Sequence, residues 1–183
     1  MTKLASFRER YRSNALPELR RKFGYTNPHQ FPRVVKVVIN VGVGGAARDA
    51  KELENATNTL AKITGQKPVL TKAKSSIASF KIRAGMPIGA MVSLRGKKME
   101  HFLDKLMHIV LPRVRDFQGL SPDSFGKSGS VTLGLKEHLV FPEIASEDFA
   151  KIHGLAVTIV TTAESASEGL TLLQALGFPF RTS

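Results

Sequence analysis

Cysteine is absent from this 183-residue chain, which excludes disulfide staples, thiolate zinc sites and a cysteine nucleophile together. Five scattered histidines are poor material for a metal site, so none is expected. No apolar run approaches the roughly eighteen residues that suggest a membrane-spanning helix. Met1-Thr2-Lys3-Leu4 leads into alternating charges, without the apolar core and small-residue cleavage site of a signal peptide. These absences predict a soluble, cytoplasmic protein with no membrane partner. The most telling gap is of acid. Between Glu54 and Glu100 lie forty-five residues without one Asp or Glu, and they carry nine bases: Lys62, Lys67, Lys72, Lys74, Lys81, Arg83, Arg95, Lys97 and Lys98.

What is present follows from that bias. Residues 1 to 99 hold 20 basic and 5 acidic side chains, residues 100 to 183 hold 7 and 10, and the formal charge is +12. A field so lopsided implies a polyanionic partner, and nucleic acid is the commonest, because Lys and Arg that neutralise phosphates release condensed counterions. Hydrophobic content of 42% and charged content of 23% are near globular averages, so the excess base is a surface property and the chain should fold. Its length suits one domain over residues 1–183.

Leu4, Phe7, Tyr11, Leu16, Leu19 and Phe23 recur at roughly helical spacing, with Arg8, Arg10, Arg12, Arg20, Arg21 and Lys22 mostly off that stripe. This predicts an amphipathic basic helix ended by Gly24, whose basic face is either simply solvated or in contact with a partner. A strand over 34–43 sets Val35, Val37, Ile39, Val41 and Val43 on one face and Lys36, Val38, Asn40 and Gly42 on the other. A helix follows from an Asp49 cap to Gly65, then a short strand at 67–71. Residues 72–85 lose periodicity and read as a long, mobile basic loop. In the next strand Ile88, Ala90, Val92 and Leu94 alternate with Gly89, Met91, Ser93 and Arg95. A helix from Gly96 ends at Pro112, an irregular stretch spans 118–130, strands cover 130–136 and 155–163, and a last helix closes at Gly177. This mixed order predicts an α+β fold: a mainly antiparallel sheet with helices packed on one face and a protruding basic loop.

No enzyme emerges. Gly42-Val43-Gly44-Gly45-Ala46-Ala47 fits a G-x-G-x-x-A phosphate cradle, but that fingerprint demands an acid about twenty residues on, where this chain has none. Ser124-Phe125-Gly126-Lys127 matches S-x-x-K but shares its lysine with the overlapping Lys127-Ser128-Gly129. His101 and His108 lack a carboxylate or third ligand nearby, and no acid pair is placed for general acid and base work. No cofactor is expected. Asn40 interrupts a branched strand, and with Lys36, Gln66, Ser93 and Arg95 it would make a polar, basic sheet face. That face either hydrogen-bonds sugar hydroxyls and phosphates or braces the sheet as an internal amide network. Phe80, in the loop, either stacks on an exposed base or anchors to the core.

The segment Leu60-Ala61-Lys62-Ile63-Thr64-Gly65-Gln66-Lys67-Pro68-Val69-Leu70-Thr71-Lys72-Ala73-Lys74-Ser75 closely resembles the signature of the large-subunit ribosomal protein L five family, which binds 5S ribosomal RNA. The likeness extends through Ile39-Asn40-Val41-Gly42, Arg83-Ala84-Gly85-Met86-Pro87-Ile88-Gly89, Leu94-Arg95-Gly96, Leu111-Pro112-Arg113-Val114-Arg115-Asp116-Phe117, Phe141-Pro142-Glu143-Ile144 and Gly177-Phe178-Pro179-Phe180. The resemblance implies a ferredoxin-like or RNA-recognition-like fold and a structural, non-enzymatic role in the central protuberance. It implies that Asn40, Gln66, Ser93 and Arg95 meet 5S rRNA, where Lys36 and Lys67 are further candidates, and that the protruding loop matching residues 72–84 reaches P-site tRNA, with Lys72, Lys74, Ser75, Ser76, Phe80, Lys81 and Arg83 as its candidate contacts. Further partners implied are 23S rRNA, other 5S-associated large-subunit proteins, and a small-subunit head protein across an intersubunit bridge. A basic DNA-binding or architectural protein is the alternative.

Overall fold

The computed structural model describes residues 6–44, 50–115, 117–144 and 152–181. The Asp49 cap and the Gly45, Ala46 and Ala47 part of the glycine motif lie outside these residues. Five strands, β1 (Val34–Gly42), β2 (Val69–Lys72), β3 (Pro87–Leu94), β4 (Val131–Leu135) and β5 (Leu155–Thr161), form one open antiparallel sheet in the order β2-β3-β1-β5-β4. The helices are α1 (Phe7–Arg10), α2 (Leu16–Phe23), α3 (Ala50–Thr64), α4 (Gly96–Lys105) and α5 (Ala166–Ala175), and they pack against the sheet as an α+β fold predicts. By internal contacts the chain divides into two units. Unit 1 comprises residues 1–37, 94–133 and 158–183, and unit 2 comprises 38–93 and 134–157.

In unit 1 the helical apolar stripes advance by four residues. Phe7, Tyr11, Ala15, Leu19 and Phe23 make one series, and Met99, Leu103, Met107 and Leu111 another, with Phe102, Leu106 and Val110 beside it. At 3.6 residues per turn a step of four overshoots by about 40°, so four such steps would carry the last residue far round the helix. Each series contains one wide π turn, Tyr11–Ala15 between α1 and α2 and Leu106–Val110 after α4. A turn closed by i→i+5 bonds takes up that excess rotation and keeps the stripe on one face. Phe7, Ala15 and Leu19 are buried, as are Met99, Phe102, Leu103, Leu106, Met107, Val110 and Leu111. The first helix ends at Gly24, whose φ of +67° is left-handed and whose N–H donates to the Arg20 carbonyl at 2.9 Å. Pro112 does not stop the later helix at once. It sits inside a 3₁₀ turn, Leu111–Arg113, because a proline near the start of a turn removes no hydrogen bond that the turn needs.

The stretch 118–130 is less irregular than its composition suggests. Leu120 pairs with Phe180 as an isolated parallel bridge, the Leu120 N–H donating to Pro179 O at 2.9 Å and the Arg181 N–H to Leu120 O at 3.0 Å. Phe125 stacks on Phe180 with centroids 5.9 Å apart. The C-terminal tail therefore supplies the partners that local sequence lacks.

In unit 2, Leu53, Ala56, Leu60 and Ile63 of α3 are buried at helical spacing, and so are Ile39, Val41, Ala90 and Val92 on alternate positions of β1 and β3. Gly65 ends α3 with φ +60°. Residues 72–85, expected as an aperiodic loop, form a hydrogen-bonded hairpin between β2 and β3. Ile77 and Ile82 exchange both backbone bonds, at 2.9 and 3.1 Å, across a 3₁₀ turn Ala78–Phe80 closed by Lys81 in the left-handed region at φ +57°. Ala73 N–H reaches Met86 O at 2.8 Å and Ala84 N–H reaches the Ser76 hydroxyl at 2.9 Å. Alternation fails there because the hairpin stands out from the core, so neither face needs apolar residues.

Candidate nucleic-acid interface

The open side of the sheet in unit 2 is the first candidate surface. Along β1, Ile39 and Val41 are buried while Asn40 and Gly42 are exposed. Along β3, Ala90 and Val92 are buried, Met91 is exposed and Ser93 is half-buried. β2 pairs with β3 antiparallel with Val69 opposite Met91 and Thr71 opposite Gly89, so these four share the open face with Asn40 and Ser93. Gly89 is obligatory: a Cβ there would stand 2.5 Å from Val41 O and 2.8 Å from Thr71 Oγ1. Gln66 and Lys67, both exposed, lead into β2. Among the described residues, the side chains of Asn40, Gln66, Lys67 and Ser93 make no internal hydrogen bond or ion pair. The internal amide network is therefore not formed, and an amide at a strand position of low propensity is left facing outward.

The hairpin is the second surface in this unit. Lys72, Lys74, Ser75, Ser76, Phe80, Lys81 and Arg83 are all exposed, and its four bases have no acidic partner among the described residues. Phe80 is 66% exposed, which removes core anchoring as its role. Ser76 has an internal task, since its hydroxyl accepts the Ala84 N–H.

Lys36 and Arg95 belong to unit 1. Lys36 is half-buried on the same alternation of β1 as Asn40. Arg95 does not continue β3: the strand stops at Leu94 and Arg95 is the N-cap residue of α4, extended at φ −138° and ψ 163°, with its side chain making no capping bond and exposed. Gly96, with φ +55°, starts the helix immediately and leaves no room for another strand residue. The basic first helix is divided. Arg8 Nε bonds Glu100 Oε1 at 2.8 Å. Arg10, mostly buried, pairs with Asp104 and lies 2.9 Å from His108 Nε2 through Nη1. Lys22 donates to Thr171 Oγ1 at 2.9 Å. Arg12, Arg20 and Arg21 stay exposed beside Leu16 and Pro17. Sequence reasoning treated these six bases alike. Glu100 and Asp104, four apart on a later helix, were the signal that some of them have partners.

Two family models match the chain, Ribosomal protein L5 over residues 27–83 and the C-terminus of the ribosomal L5 family over residues 87–180. The chain belongs to the ribosomal protein L5 family. It is similar to large ribosomal subunit protein uL5 of Synechococcus elongatus, at 54% identity over 176 residues, 96% of this chain and 98% of that protein. Likeness to uL5 of Thermoanaerobacter sp. (strain X514) is 53% over 177 residues, with 97% and 99% covered, and to uL5 of Rubrobacter xylanophilus 51% over 178 residues, also 97% and 99%. As an L5-family member the chain is a structural, non-enzymatic protein of the cytoplasmic ribosome.

Among the described residues no group of three or more His, Asp and Glu is placed to hold a metal ion, and no helix is long and apolar enough to cross a membrane. His138, unremarked in the sequence, is buried and stacks on His153 at 4.1 Å between centroids, its Nδ1 3.3 Å from the His153 backbone. Tyr11 donates its hydroxyl to Pro32 O at 3.1 Å, and burial pushes its phenol pKa up against the lowering influence of Arg33.

Proposed function

We propose that the protein is a constituent of the large ribosomal subunit that binds 5S rRNA and attaches it in the central protuberance. Asn40, Gln66, Lys67 and Ser93 on the open face of unit 2, with Lys36 and Arg95 from unit 1, are the 5S contacts. The observation that carries this reading is the outward amide of Asn40, beside a sheet face whose polar groups have no partner among the described residues. Such a face offers neutral donors and acceptors for 2′-hydroxyls beside cations for phosphates, and the hydroxyl contacts are how folded RNA is told from duplex DNA. The reading takes residues 1–183 as one domain, since β1, β3, β4 and β5 each carry residues of both units.

The hairpin serves a second RNA. Lys72, Lys74, Lys81 and Arg83 supply phosphate contacts, Ser75 and Ser76 hydroxyls, and Phe80 a stacking surface toward P-site tRNA. Partners on the remaining surface are 23S rRNA, other 5S-associated proteins and a small-subunit head protein that completes an intersubunit bridge. The family names of its relatives support the ribosomal part of this reading, and the exposed, unpaired bases support the RNA part.

The test is equilibrium binding to 5S RNA against a duplex DNA competitor at stated salt. Preference for 5S RNA is expected, with Asn40→Ala and Arg95→Ala each weakening it about five- to thirtyfold, the worth of one or two hydrogen bonds. Lys72→Ala with Lys74→Ala should spare 5S affinity and impair tRNA placement. Equal affinity for both nucleic acids, or full 5S affinity in both single variants with folding unchanged, would refute the assignment.

A further inference from the structure

Two exposed side chains on the open face of unit 2 are neither polar nor basic. Val69 is 62% exposed and Met91 37% exposed, and the β2–β3 register sets them directly opposite each other. Asn40 continues the row. A Cβ on Gly89 would lie 3.5 Å from Gly42 Cα, so these two residues are neighbours on β3 and β1. Stepping two residues on from Gly89 and two back from Gly42 moves the same way across antiparallel strands, to Met91 and Asn40. The open face thus presents, side by side, a branched aliphatic group, a thioether and a carboxamide.

Isolated surface hydrophobics are ordinary, but these two are adjacent and have bases on either side. β2 is an edge strand, and an exposed apolar edge invites another strand. Here the strand is only four residues long, bracketed by Lys67 and Lys72, and its register slips between Thr71 and Lys72. Short length, lysine and irregularity all discourage strand addition. What is left to meet Val69 and Met91 is a group lying on the sheet face. A helical stretch of RNA offers only phosphates, sugars and base edges there, whereas an unstacked nucleotide offers a flat, polarisable ring. Methionine suits such a ring, since its sulfur makes favourable contacts with aromatic groups and its chain adapts to their position.

We propose that Val69 and Met91 form an apolar ledge on which one unpaired nucleobase of the bound RNA lies flat, with the Asn40 amide at its polar edge. This rests on the 5S-binding reading above and adds to it a contact that is independent of charge. The full-length protein is tested against 5S RNA with Val69→Thr and Met91→Gln, which keep branching or length and remove apolar character. Thermal midpoints matched to the parent establish that the variants fold. Each variant is expected to bind about three- to tenfold more weakly, with the slope of log affinity against log salt unchanged because no counterion is displaced. Dimethyl sulfate modification provides the second reading: an unpaired adenine or cytosine protected by the parent protein should regain reactivity with both variants. Unchanged affinity and protection in both, while Asn40→Ala still weakens binding, would overturn the ledge and leave the 5S face standing. Unchanged RNA binding with loss of a protein partner would overturn it equally. No preference of the parent protein for 5S RNA over duplex DNA would remove both proposals.

Discussion

The first helix and the hairpin carry similar densities of base in the sequence, and the fold treats them differently. In the helix, Arg8 meets Glu100, Arg10 meets Asp104 and His108, and Lys22 meets Thr171. In the hairpin, Lys72, Lys74, Lys81 and Arg83 meet no acid among the described residues. The difference lies in what each segment packs against. A helix laid on another element of the same unit can recruit that element's carboxylates, whereas a hairpin standing out from the core has only solvent or a partner. Charge density alone therefore does not separate the two segments; the presence or absence of an internal counter-ion among the described residues does.

The largest test of this contrast is Arg10→Met. It removes a mostly buried guanidinium and leaves Asp104, half-buried, without its cation, and a loss of roughly 2 kcal/mol is expected in urea unfolding. A loss below about 1 kcal/mol would show that Arg10 belongs with the surface bases. Tyr25, just after the same helix, extends the contrast to pH. Its phenol is pushed up to about 12, first by burial, then by a hydrogen bond to Glu168 and the charges of Glu168 and Glu164. The unfolded phenol titrates near 10, so the folded state holds the proton more tightly. That stability is complete below about pH 10 and is lost as pH climbs through about 12. Tyr25→Phe should flatten the fall over this window, and identical pH profiles for the two proteins would contradict the assignment. Arg8→Gln, which breaks an exposed pair, should cost only about 0.5 kcal/mol. The smallest effect belongs to the hairpin, where Lys72→Ala with Lys74→Ala should leave stability within about 0.5 kcal/mol of the parent. A larger loss would mean that these lysines brace the fold.

Alternation made β1 and β3 legible, because one face of each is buried and the period of two is imposed by burial. Val37, Ile39, Val41, Ala90, Val92 and Leu94 fall on the buried side as the pattern predicts. Three features escaped it. Arg95 fits the alternation of β3, but Gly96 begins the helix one residue later than the pattern can sense. The order in 118–130 comes from Pro179 and Phe180, far along the chain, and no local window holds that information. In the first helix the stripe reads through Leu16, whereas Ala15 is the buried residue, because nothing in residue type says that a π turn will absorb the excess rotation. At the candidate interface, polar residues were easier to find than apolar ones. Asn40 stands out in a run of branched residues, whereas Val69 and Met91 are ordinary strand residues until the register sets them together in the open.

The most direct measurement is the salt dependence of 5S RNA binding for the parent protein, Lys67→Gln and Arg8→Gln. If bases lacking an internal counter-ion are those that meet RNA, Lys67→Gln should lower the slope of log affinity against log salt by about one while Arg8→Gln leaves it unchanged. Equal slopes for all three, or a shift for Arg8→Gln alone, would contradict the account.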